Sequence, residues 1–201
     1  MTQIRIQVIA ALAAIATPIL ASAQEPNYYE ELQAAVVVDE TSPSRKLNGV
    51  GMPIAGAVGS ISTESIGKEI GSIVRLSKPF SVRSISFTVL RNSLEDCKAK
   101  VNIYRLDDDR QENILSLSLS EQIPLTDEKI GITLYPEESI ELQPGSYFLS
   151  FSVVESSSQD EDASIHFPLY LKKSYLRKGP EAELENVSFN MGLRVAGERK
   201  K

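Results

Sequence analysis

The chain has 201 residues, with 27 acidic against 21 basic side chains and a formal net charge of −6. It is long enough to bury a core of its own, and its acidic balance argues against binding nucleic acid through neutralised phosphates. One His, one Cys and no Trp exclude an intrachain disulfide framework and leave too few soft ligands for a transition-metal centre.

The first residues read as a leader rather than as fold. Arg5 gives a basic start, Ile6 to Leu20 is almost entirely apolar, and "ASA" occupies Ala21–Ala23 just before Gln24. That is the pattern of a cleaved secretory signal over residues 1–23, and the apolar run is short for a membrane span. Cleavage would remove Arg5 and make the remainder more acidic. The expectation is an exported chain with no membrane span after cleavage, placed in the periplasm, on the outer surface or secreted.

Residues 24–67 form an acidic and then Gly-rich lead-in. "EELQAAVVVDE" (Glu30–Glu40) surrounds one apolar patch with acids. It resembles the short segment by which outer-membrane receptors engage an energising partner, but neither plug nor barrel follows, and a first β-strand is the preferred reading. Tyr28 to Val36 has room for a short helix at most. Leu47 to Gly67 carries five Gly and no clear period, so a loop with at most one short strand is expected.

From Lys68 the pattern changes to two-residue alternation. Ile70, Val74 and Leu76 share one parity. Ile85, Phe87 and Val89 share another, while Phe80 and Val82 sit on the opposite one. A parity slip inside a strand is what a bulge produces, and it predicts one near Arg83. Ala99, Val101 and Ile103 alternate next, then Leu115, Leu117 and Leu119, then Tyr147, Leu149, Phe151 and Val153. Ile165, Phe167, Leu169 and Leu171 follow, and Val187, Phe189, Met191, Leu193 and Val195 close the series. Turn chemistry separates the segments in "DDDRQEN", "TDEK", "QPG" and "RKGP". Pro168 lacks the N–H that a central ladder uses, so its strand is expected at an edge or broken there.

Alternation of this kind belongs to antiparallel sheets with one packed and one polar face. Many short strands without helices predict an all-β, two-sheet antiparallel sandwich. A jelly-roll-like order is favoured over an immunoglobulin-like one, because paired Cys and a core Trp are missing. The domain is expected over residues 68–196, with a basic tail at 197–201.

The block "KEIGSIVRLSKPFSVRSISFTVL", with "CKAKVNIYRL" and "IELQPGSYFLSFSVVE", resembles a group of exported β-sandwich modules of Gram-negative bacteria. Such modules often follow a carboxypeptidase-regulatory-like domain; the stretch before Lys68 is too short for one. The resemblance implies a sandwich fold and an envelope location, and it carries over no catalytic residue.

No constellation for catalysis is legible. His166 stands alone, and no Gly-x-Ser-x-Gly elbow exists. Cys97, in "LEDCKAK", reads as a passive, half-buried thiol. The oxygen-rich loops that offer calcium ligands hold Asp107 and Asp109 in one case and Asp160 and Asp162 in the other, without an EF-hand pattern. No metal and no cofactor is expected. What stands out is the off-core parity. Asn102 and Tyr104, Phe148, and His166 with Tyr170 would form an aromatic–polar patch if their strands neighbour one another, a surface suited to a glycan or a protein partner. The competing expectation is that a loop covers Phe148. The sequence therefore points to a non-catalytic module for ligand recognition or envelope assembly. The alternatives are a carboxylate-dependent hydrolase and a purely structural envelope domain.

Overall fold

Alternating side chains give strands wherever one face can be buried, and the chain uses this almost throughout. A computed structural model describes residues 45–106, 113–179 and 182–199. Its strands, in chain order, are β1 (Arg45–Lys46), β2 (Met52–Ser62), β3 (Glu69–Leu76), β4 (Phe80–Val89), β5 (Arg91–Asn92), β6 (Lys98–Leu106), β7 (Asn113–Gln122), β8 (Ile130–Leu134), β9 (Ile140–Leu142), β10 (Gly145–Glu155), β11 (Ser164–Arg177), β12 (Glu185–Asn190) and β13 (Arg194–Arg199). One 3-10 turn, Thr63–Ser65, joins β2 to β3. No helix among the described residues is long and apolar enough to cross a membrane.

The strands make two antiparallel sheets packed face to face, the expected sandwich. The smaller sheet has the order β1-β13-β4-β8, with β9 also on β4. The larger has the order β12-β11-β3-β10-β6-β7, with β2 and β5 also on β11. Between them lies one apolar core. Phe80, Val82, Ile85, Phe87 and Val89 enter it from β4, and Tyr147, Leu149, Phe151 and Val153 from β10. Phe151 sits at its centre, edge-on to Phe87 and to Phe167 at 5.0 Å each.

The bulge expected near Arg83 is present. Ala196 faces Ser84 and Gly197 faces Val82, so Arg83 is the extra residue of β4. It turns outward to Glu198, 2.7 Å away.

Four expectations need correction. The Gly-rich lead-in is not mainly loop: residues 52–62 form an 11-residue strand hydrogen-bonded to β11. The pattern was hidden because most of β2 is exposed and needs no apolar alternation. Leu171 is not a core residue but 56% exposed, and beyond it an irregularity between Leu171 and Ser174 shifts the register of β11 against β12. The closing segment is two strands rather than one. It crosses between the sheets at Met191–Leu193, where Gly192 adopts φ +77° and donates its N–H to Asn190 Oδ1 at 2.6 Å. β13 also runs on to Arg199, into the stretch read as a basic tail.

The fourth correction concerns Pro168, whose strand neither breaks nor lies at the margin. The Ser164 and His166 carbonyls accept bonds from Ser93 and Leu90 N–H on the β5 side. Alternate residues point to the same edge of a strand, so Pro168 presents its missing N–H there too. That edge is paired at Ile165 and His166 by β5 and again from Tyr170 by β12. The proline occupies the interval between them.

Candidate functional site

The off-core face of the larger sheet is where the sequence placed its patch. Register brings part of it together. Phe148 faces Tyr104 on β6 and Ile73 on β3; Ser150 faces Asn102 and Gly71; Arg177 faces Glu69. Asn102, Tyr104 and Phe148 therefore do meet, but as a buried cluster rather than as an exposed platform.

Glu69, 3% exposed, organises this cluster. Its Oε1 accepts hydrogen bonds from Asn102 Nδ2 and Tyr104 OH, both at 2.8 Å, and from Ser150 Oγ at 3.3 Å. Its Oε2 accepts from Arg177 Nε. Arg177 is 1% exposed, and its guanidinium lies 4.3 Å from the Tyr104 ring centroid and 5.0 Å from that of Phe148. Leu106, Ile73, Tyr175 and Leu184 pack around the two rings. A buried charge is tolerated only when paired and hydrogen-bonded, and here one carboxylate on β3 gathers four donors from three other strands, β6, β10 and β11. Burial, together with the bond to Glu69, pushes the Tyr104 hydroxyl up to about 12. The groups that looked free to contact a glycan are committed to Glu69.

His166 and Tyr170 do not join them. At roughly 3.3 Å per residue, His166 stands on the order of 30 Å along β11 from Arg177. It is half-buried, with Nε2 3.0 Å from Ser164 Oγ, and burial followed by the Arg91 charge lowers its pKa. Tyr170 lies over Gly192, where an added Cβ would come within 2.4 Å of the ring.

Of the calcium candidates, Asp107 and Asp109 lie outside the described residues. So do Tyr28–Val36 and Glu30–Glu40. Asp160 and Asp162 are exposed, and Asp160 Oδ1 accepts the Asp162 N–H at 2.9 Å within its own turn. No cluster of three or more His, Cys, Asp or Glu suited to a metal occurs among the described residues. Cys97 is fully buried, and burial raises its thiol to about 11, which keeps it protonated and unreactive near neutrality.

A second feature was not legible as a site. An apolar cavity of about 90 Å³ opens between β2, β3, β11 and β12. Ile70, Phe167, Leu169, Leu176, Phe189 and Met191 form much of its wall, while Ser60, Ser65 and Lys68 supply its polar groups. None of its described lining comes from the smaller sheet. The turn after β2 shapes one side. Gly67 at φ +82° reverses the chain, Lys68 N–H donates to the Ser65 carbonyl at 3.2 Å, and Lys68 Nζ donates to Ser65 Oγ at 3.3 Å. Ile70, Phe167, Leu169, Val187 and Phe189 read in sequence as ordinary core, so no local pattern marks the space between them.

Comparison with family models, with curated proteins and with solved structures gives no match to this chain.

Proposed function

We propose that the protein is a non-catalytic recognition module of the bacterial envelope, exported by its leader, and that the cavity between β2, β3, β11 and β12 is its ligand site. The observation that carries the reading is an open apolar concavity with a few polar groups at one side, held by strands of a rigid sheet. Such concavities are the usual form of small-ligand sites. A fluorescent apolar probe, 1-anilinonaphthalene-8-sulfonate, should bind the native chain saturably at one site. Val187→Phe, which fills the cavity from β12, should abolish that binding without lowering the melting temperature by more than a few degrees. Unchanged probe binding in the folded variant would rule the cavity out. Export is tested separately: protein recovered from the envelope fraction should begin at Gln24.

A second reading, assembly, has its own support. β2 pairs with β11 and with no other described strand, and Met52, Ile54 and Val58 on it and Leu171 beside it are exposed. An unpaired edge with apolar side chains is a template for another strand. Light scattering of the native chain against Val58→Lys would show whether that edge holds a second copy.

A further inference from the structure

We infer that the cavity takes the alkyl tail of a single-chain carboxylate, a free fatty acid, with its head group on Lys68. The inference rests on the reading of the cavity as a ligand site and specifies what enters it.

Size restricts the occupant first. About 90 Å³ is well below the roughly 300–1,000 Å³ of ordinary small-molecule sites. A few methylenes of one slender chain fit such a volume, with the rest of the tail along its open mouth; a pair of acyl chains does not. The wall chemistry restricts it next, because the aliphatic and aromatic groups deep in the cavity offer no hydrogen bond to a sugar or a peptide backbone.

Charge then selects the head group. Lys68 is half-buried and lines the cavity beside Ser60 and Ser65. Its ammonium donates to Ser65 Oγ, and no carboxylate pairs with it among the described residues. The adjacent Glu69 does not neutralise it. That side chain points to the opposite face of the sheet and is held there by Arg177, Asn102 and Tyr104. In a chain with an acidic excess, an unpaired cation next to two hydroxyls at an apolar opening is matched by an anion carrying an apolar tail. A carboxylate can accept from the ammonium and from both serines at once.

The test is calorimetric titration of the full chain with dodecanoate, dodecanol and dodecyltrimethylammonium, each below its micelle concentration. Dodecanoate should bind with one-to-one stoichiometry and more tightly than the other two. Across shorter alkanoates, affinity should rise about fourfold per methylene until the cavity is full, then level off. Lys68→Met should weaken dodecanoate about tenfold and leave dodecanol unchanged; Val187→Phe should weaken both. Binding of dodecanol or the cation as tightly as dodecanoate, or indifference to Lys68→Met, overturns the head-group assignment and leaves the cavity as a ligand site. Absence of binding by all three probes overturns the ligand site itself. Co-flotation with phosphatidylglycerol vesicles, lost in Val187→Phe, would overturn the free acid in favour of a membrane lipid. Lys68 is a rim residue, so its variant remains informative if the filled variant does not fold.

Discussion

At the scale of single residues, the Glu69–Arg177 pair dominates. Removing one member of a buried pair strands the other, at a cost of about 3–5 kcal/mol. Glu69→Ala should therefore destabilise the protein by about that much in urea unfolding, because four donors lose their acceptor. The double change Glu69→Leu with Arg177→Met should recover much of the loss, since no charge is then left uncompensated. A double variant as unstable as the sum of its single changes would contradict this account. His166 carries a separate pH dependence. In the unfolded chain it takes up a proton near the ordinary value of about 6.5; in the fold, burial and the Arg91 charge lower that value. The contribution to stability is then full above pH 6.5. It declines as pH falls toward the folded value and levels off below it, because the unfolded state binds the proton first. The urea midpoint of the wild type should fall more than that of His166→Asn between pH 7.5 and pH 5. Parallel curves would remove His166 as a source of acid sensitivity.

At the scale of strands, legibility depended on whether a strand buries one whole face. β4 and β10 do, and their parity in sequence gave both their faces and the bulge at Arg83. β2 buries little, so its side chains carry no period. β11 reverses parity past Leu171, which places Arg177 on the same face as Tyr104 and Phe148, a meeting that no local pattern announces. Three of the five residues proposed for the patch were brought together by register; the acceptor that binds Asn102 and Tyr104 came from β3 and was missed. Glycines show the same dependence on context. A Cβ at Gly71 on β3 would lie 1.9 Å from the Leu149 carbonyl oxygen of β10. Backbone cannot yield as a flexible side chain can, so Gly71→Ala should cost about 3 kcal/mol or more. Gly131 on β8 has nothing within 4 Å and no positive φ. Gly131→Ala should be neutral or stabilising by about 0.4–1 kcal/mol, through the reduced freedom of the unfolded chain. Thermal melts of the two variants side by side give the comparison, and similar losses at both sites would show that strand spacing is not what Gly71 maintains.

At the scale of the whole molecule, the sandwich is closed by contacts between distant parts of the chain. β13 lies between β1 and β4 in the smaller sheet. Asn48, just after β1, donates to the Leu193 carbonyl at 2.7 Å and accepts the Val195 N–H at 3.0 Å. β1 has no other described strand beside it, and β4 loses a central neighbour if β13 is absent. The core face of β4 is then left open, including Phe80, Val82 and Ile85, all fully buried in the intact sandwich. Antiparallel folds dominated by such long-range pairing fold slowly, because loop closure precedes the contacts that repay it. For a chain proposed to cross a membrane unfolded, late closure is an advantage: no stable sandwich forms before Arg194–Arg199 can insert. A chain ending at Leu193 should consequently lose cooperative unfolding, bind 1-anilinonaphthalene-8-sulfonate at many weak sites rather than one, and aggregate at micromolar concentration. Supplying the peptide Arg194–Lys201 in excess should partly restore a single thermal transition, since β13 pairs through backbone hydrogen bonds on both edges. A truncated chain that still melts cooperatively near the wild-type temperature would mean that the larger sheet is stable alone, and the closing role assigned to β13 would fall.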